Sequence, residues 1–71
     1  MANVNILRAN IILKNLKLSE FSEMIGIKKS ALYRKLSGKT QFKCDEIERI
    51  SKVLDLTDEQ IIDIFFSNKV S

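Results

Sequence analysis

The 71-residue sequence predicts a single all-α domain, a compact bundle of five helices. Three observations predict it. Apolar residues recur at helical spacing along the whole chain. There is no proline and only two glycines, Gly26 and Gly38, too few for the tight turns a small sheet needs. One cysteine and no histidine leave neither an internal disulfide nor a zinc site to hold a chain this short, which leaves helix packing, with oligomerisation as a further source of stability. No metal or other cofactor is expected.

The first helix is expected over 3–14, with Val4, Leu7 and Ile11 on one face. Asn15 follows, the best non-glycine residue for a left-handed helix end. The second covers 18–25, with Leu18, Phe21 and Ile25 on one face and Glu20 and Glu23 toward its start, where acids suit the helix dipole. Ser22 is small enough to let a neighbouring helix approach, and Gly26 ends the segment. Ile27 reads as an apolar plug beneath the turn. The third helix, 28–37, has a narrow apolar seam of Leu32 and Leu36 with Ala31 beside it. The rest of its surface is read as Lys29, Ser30, Tyr33, Arg34 and Lys35. Tyr33 is placed outside because Lys29 and Ser37, four residues to either side, are polar. Gly38 ends the helix.

Phe42 anchors a polar connection, Lys39 to Lys43, and Phe21 belongs to the core. The fourth helix, 44–55, carries Ile47, Ile50 and Leu54 on one face with Val53 adjacent. Asp45, Glu46 and Glu48 are read as acids favoured at a helix start, and Cys44 as a small half-buried filler. The fifth helix, 58–67, opens on Thr57 and Gln60 at capping-box spacing. Its Ile61, Ile62, Ile64, Phe65 and Phe66 cover more than one face. A protein interface is therefore expected at Ile62, Phe65, Phe66 and Val70.

Charge is unevenly shared. Residues 1–27 have three cations and two acids, and residues 28–43 six cations and no acid. Residues 44–71 have three cations and seven acids. A central segment of +6 in a chain of net +3 is the footprint of a polyanion-binding face. No apolar run approaches the ~20 residues of a membrane span. Asn3, Asn5, Arg8 and Asn10 interrupt anything like a signal peptide, so a cytoplasmic protein is expected. No phosphate loop or cofactor motif is present, and no nucleophile can pair with a histidine. An enzyme is not expected, nor a small-molecule ligand.

Residues 18–38, LSEFSEMIGIKKSALYRKLSG, have the form of a helix-turn-helix: two short helices, a glycine at the turn, a buried residue after it and a polar, basic second helix. With EFSEMIGIKKSALYRKLSGKTQF and EIERISKVLDL, the chain from Leu16 to about Phe66 resembles the Cro/repressor-type (XRE-like) family of bacteriophages and bacteria. Its nearest flavour is the short prophage regulators of Gram-positive hosts. The resemblance implies a lambda-repressor-like five-helix fold and a transcriptional regulator that binds pseudo-palindromic operator DNA as a homodimer through the 28–37 helix. It implies that Lys29, Ser30, Tyr33 and Arg34 face the bases, with Arg34 suited to the O6 and N7 of a guanine. Lys28, Ser37, Lys39, Thr40 and Lys43 would hold phosphates.

The chain departs from the pattern at two places, the starts of the second and third helices. Lys17 and Leu18 stand where the family often has Thr and Gln, and Lys28 where it often has a capping Ser. Lys17 is taken as a substitute phosphate contact. Control by self-cleavage is not expected. A second reading keeps the fold but makes the protein an antirepressor or modulator that forms a heteromer with a phage repressor. The acidic C-terminal half and apolar last helix suit it.

Overall fold

The computed structural model describes residues 3–66. They form α1 (Val4–Leu13), α2 (Leu18–Ile25), α3 (Lys29–Leu36), α4 (Cys44–Leu54) and α5 (Asp58–Ile61), the last continuing as a π-helical turn over Ile62–Phe66. No strand occurs among the described residues. The first four helices fall within one residue of their expected ends.

Four of the helices stop by the same device. After α1 the chain turns left-handed at Asn15 (φ 57°), after α2 at Gly26 (72°), after α3 at Gly38 (83°) and after α4 at Asp55 (53°). Each turn is closed by two backbone hydrogen bonds. At Gly26 its own N–H donates to the Glu23 carbonyl (3.2 Å), and the next N–H, of Ile27, donates to that of Ser22 (3.0 Å). The same pair recurs at Asn15, Gly38 and Asp55. This is the Schellman arrangement, which satisfies carbonyls that a helix end otherwise leaves bare. The residue after each turn is Leu16, Ile27, Lys39 or Leu56. Ile27 is buried and Leu16 and Leu56 half-buried, so three of the four turns are plugged by an apolar side chain. At α3 that position is an exposed lysine.

The helix starts are less uniform. Thr57 and Gln60 make the full reciprocal box: Thr57 Oγ1 accepts from the Gln60 N–H (3.1 Å) and Gln60 Oε1 from the Thr57 N–H (2.9 Å). At α2 and α4 only the return half forms, from the N–H of Lys17 to Glu20 Oε1 (2.9 Å) and of Lys43 to Glu46 Oε1 (2.8 Å). A lysine ammonium has no acceptor with which to complete the box.

The core is built from the predicted stripes: Leu7 and Ile11 of α1, Phe21 and Ile25 of α2, Leu32 and Leu36 of α3, Ile50 and Leu54 of α4. Ser22 is buried where α2 meets its neighbours, its hydroxyl donating to the Ser19 carbonyl (2.8 Å). The Asn3 N–H donates to the Ile64 carbonyl, tying the start of α1 to the last turn.

Three expectations are corrected. The last segment is not one α-helix over 58–67. After one turn it loosens to π spacing, whose i→i+5 bonds widen the coil. Consecutive Ile64 and Phe65 both turn inward there, and Ile62 and Phe66 stay out. Phe65, expected at a protein interface, is thus a core residue. Its ring meets that of Phe42 edge-on at 5.6 Å. Cys44 is exposed rather than half-buried, because it precedes the first apolar position of the α4 stripe.

Substitution at two of the left-handed turns should have opposite effects. Gly26→Ala forces an L side chain into a left-handed backbone and should cost about 1–2 kcal/mol. Its Cβ would meet only Arg49 Nη1 at an ordinary 3.5 Å, so the cost is in the backbone. Asp55→Gly relieves that strain and removes a carboxylate from the negative end of α4, and should add about 0.5–1 kcal/mol. Urea titrations of the two variants should move their midpoints in opposite directions; a common direction contradicts the account.

Candidate nucleic-acid interface

The interface begins with the angle between α2 and α3. Gly26 turns the chain, Ile27 is buried under the turn, and Leu32 and Leu36 seat α3 on the core. A longer-range contact reinforces the corner. Arg49 of α4 donates through Nη1 to the Ile25 carbonyl at the end of α2 (3.3 Å). Its other nitrogen lies 3.8 Å from Asp45 in a half-exposed pair of little energetic weight. Nothing in the apolar periodicity marks Arg49, since it lies off the α4 stripe.

With α3 seated this way, Lys29, Ser30, Tyr33 and Arg34 share its outer face and are all exposed. Their spacing of i, i+1, i+4 and i+5 stacks them in two adjacent rows. Tyr33 is 46% exposed, which settles it as a surface residue. Lys29 Nζ lies 5.9 Å from the centre of its ring, a cation–π contact that holds both side chains along the helix. The Arg34 guanidinium makes no hydrogen bond or ion pair among the described residues.

The residues expected at phosphates surround this face in the chain. Lys28 is the residue before α3, and Lys39, Thr40 and Lys43 occupy the loop after it; all four are exposed. Lys17 is exposed at the start of α2 and, having no acceptor, leaves the amides of that first turn without a side-chain cap. Ser37 differs. Its hydroxyl donates to the Arg34 carbonyl (2.9 Å) and its N–H to the Tyr33 carbonyl (3.0 Å), so both of its donors are engaged within the helix end.

Lys35 overturns the expectation that it belongs to the outer surface. It is 8% exposed. Its Nζ donates to the Gln41 carbonyl (3.0 Å), pairs with Glu46 Oε1 (3.2 Å) and sits 5.8 Å from the centre of the Phe42 ring. The signal was present in the spacing: Ala31, Leu32, Lys35 and Leu36 form one inward face, of which the third member is charged. A lysine can occupy such a place by laying its stem along the core and carrying its head to an acid.

The acids keep clear of the basic stretch. Asp45, Glu48, Asp55, Asp58, Glu59 and Asp63 are all exposed on the C-terminal half, and Glu46 alone reaches toward α3. Among the described residues no group of three His, Cys, Asp or Glu is placed to hold a metal. No helix among them is long and apolar enough to cross a membrane.

A model of the Cro/C1-type helix-turn-helix DNA-binding domain family matches residues 6–67. No curated protein and no solved structure matches the chain.

The exposure of Cys44 gives a direct check on the placement of the loop and the start of α4. Its thiol should react stoichiometrically with a thiol-specific chromogenic reagent without denaturant. Protection of the thiol until the chain is unfolded contradicts that placement.

Proposed function

Since the chain belongs to the family of Cro/C1-type helix-turn-helix DNA-binding domains, we propose that it is a sequence-specific transcriptional regulator of the Cro or short phage repressor kind. It docks α3 in the major groove of an operator. The observation that carries this reading is the division of α3. Leu32, Lys35 and Leu36 face inward, while Lys29, Ser30, Tyr33 and Arg34 lie exposed together in the +6 stretch of the chain. That division supplies donors for base edges and leaves cations at the ends of the helix for phosphates.

In this reading Arg34 reads a guanine, and Lys29, Ser30 and Tyr33 contact neighbouring base edges. Lys17, Lys28, Lys39, Thr40 and Lys43 hold phosphates. Lys39 has the strongest support of that set, because it stands exposed where the other three helix-ending turns carry an apolar plug. Ser37 contributes little to the phosphates, its donors being engaged.

We further propose a homodimer through the last turn. Ile62 is 55% and Phe66 58% exposed, large apolar surface on a domain this small. Val70 belongs to the same expectation but lies outside the described residues. Phe65 is withdrawn from it. The same apolar pair also suits an antirepressor that docks on a repressor protein.

A gel shift on the duplex flanking the protein's own gene, run over a salt series, separates these readings. Arg34→Ala should lose about 1–3 kcal/mol of discrimination at one base pair. Lys39→Ala should weaken all sequences alike and lower the slope of log affinity against log salt by about 0.9. Ser37→Ala should leave both nearly unchanged. No shift even at low salt, together with co-purification of a repressor, favours the antirepressor.

In sedimentation at micromolar concentration the wild type should run at twice the chain mass and Phe66→Asp at one. A Phe66→Asp protein that stays dimeric excludes the last-turn interface.

A further inference from the structure

We propose that Lys35 and Glu46 act as a positioning pair for DNA binding. Together they clamp the loop after α3 in its phosphate-holding conformation before DNA arrives. The proposal rests on the DNA-binding reading above and adds to it two residues that touch no nucleic acid.

The loop between α3 and α4 would be costly to order on binding, since each residue fixed loses backbone entropy. Its second half is already tied at three consecutive residues. The Gln41 carbonyl accepts from Lys35 Nζ (3.0 Å). The Phe42 ring lies beneath the same ammonium and edge-on to Phe65. The Lys43 N–H donates to Glu46 Oε1 (2.8 Å), the oxygen that also pairs with Lys35 at 3.2 Å. The two ends of the arrangement therefore meet at one carboxylate oxygen. The pair is largely withdrawn from water, its side chains 9% and 14% exposed, so salt screens it far less than a surface pair.

Such placement is hard to explain by stability alone, because a buried ion pair is often no better than apolar residues of the same volume. It is explained by geometry. Lys35 belongs to α3, so whatever fixes α3 on the bases also fixes Gln41 to Lys43. The cation at Lys43 is thereby held in register with the reading face, while Lys39 is held to α3 by its own N–H on the Arg34 carbonyl (3.0 Å).

The test uses two variants whose charge changes are opposite. Lys35→Met keeps the buried stem and lowers the net charge by one; Glu46→Ala raises it by one. A through-space effect of charge predicts weaker DNA binding for the first and tighter binding for the second. The clamp predicts weaker binding for both, by roughly tenfold at low salt. The salt slope should fall by about one as the contact at Lys43 is lost. Base preference should be unchanged, and amide exchange at residues 41–43 should be faster in the free protein.

Binding is measured at a temperature where circular dichroism shows each variant folded, so lost stability does not pass for lost affinity. Tighter binding by Glu46→Ala, or two folded variants with wild-type slope and loop exchange, overturns the clamp while leaving the DNA-binding reading intact. A wild type that binds no duplex at low salt removes that reading and the clamp with it.

Discussion

The fold depends on the corner at Gly26 and Ile27. No helix here can stand alone: α1 to α4 have ten, eight, eight and eleven residues, and isolated helices under about 12–15 residues are marginal in water. Each persists because its apolar stripe is covered by another, and the cover exists only if α2 and α3 leave the corner at the right angle. Gly26 supplies the left-handed backbone, Ile27 the buried wedge, Ser22 a small surface, and Arg49 a hydrogen bond from α4 to the last carbonyl of α2. The same angle that closes the core turns the other side of α3 outward. The core and the exposed polar face of α3 are two results of one geometric choice.

Much of this is legible in the sequence because the chemistry at those positions is selective. Gly26, Gly38 and Asn15 stop helices for a steric reason readable from residue type alone. The stripes of α1, α2 and α4 are regular enough that their inward faces could be named residue by residue. What escapes is of another kind. Lys35 lies on an inward face but is charged, and a search for apolar periodicity passes over it. Its partner Glu46 is eleven positions away on another helix, beyond any local rule. Phe65 and the π turn escape because five large apolar residues in six are compatible with several coils; the choice among them is made by Phe42 and Asn3, which meet that segment only in three dimensions. Cys44 shows the reverse error, an apolar-looking residue whose place at the start of the stripe leaves it in solvent.

The basic segment therefore contains two kinds of cation. Most are solvated and available to a polyanion. Lys35 is committed inward, and subtracting it changes what the +6 of the central stretch means. A count of charges measures attraction at a distance, whereas the arrangement around Glu46 concerns where the loop is held once contact is made. The two contributions differ in their response to salt and to substitution, and the sequence alone does not separate them.

The four matching helix ends also bear on how quickly the fold is reached. Each stop is written within a six-residue stretch, by one left-handed residue and two short hydrogen bonds, so helix boundaries need not await the collapsed state. The chain has no proline whose isomerisation must be awaited and no disulfide to form within it. Helical domains dominated by such local contacts fold in microseconds to milliseconds. A domain of 71 residues buries a smaller share of its surface on folding than a larger one, so rapid return from the unfolded state is itself a protection, because the time spent open to proteolysis or aggregation is set by how fast the chain closes again.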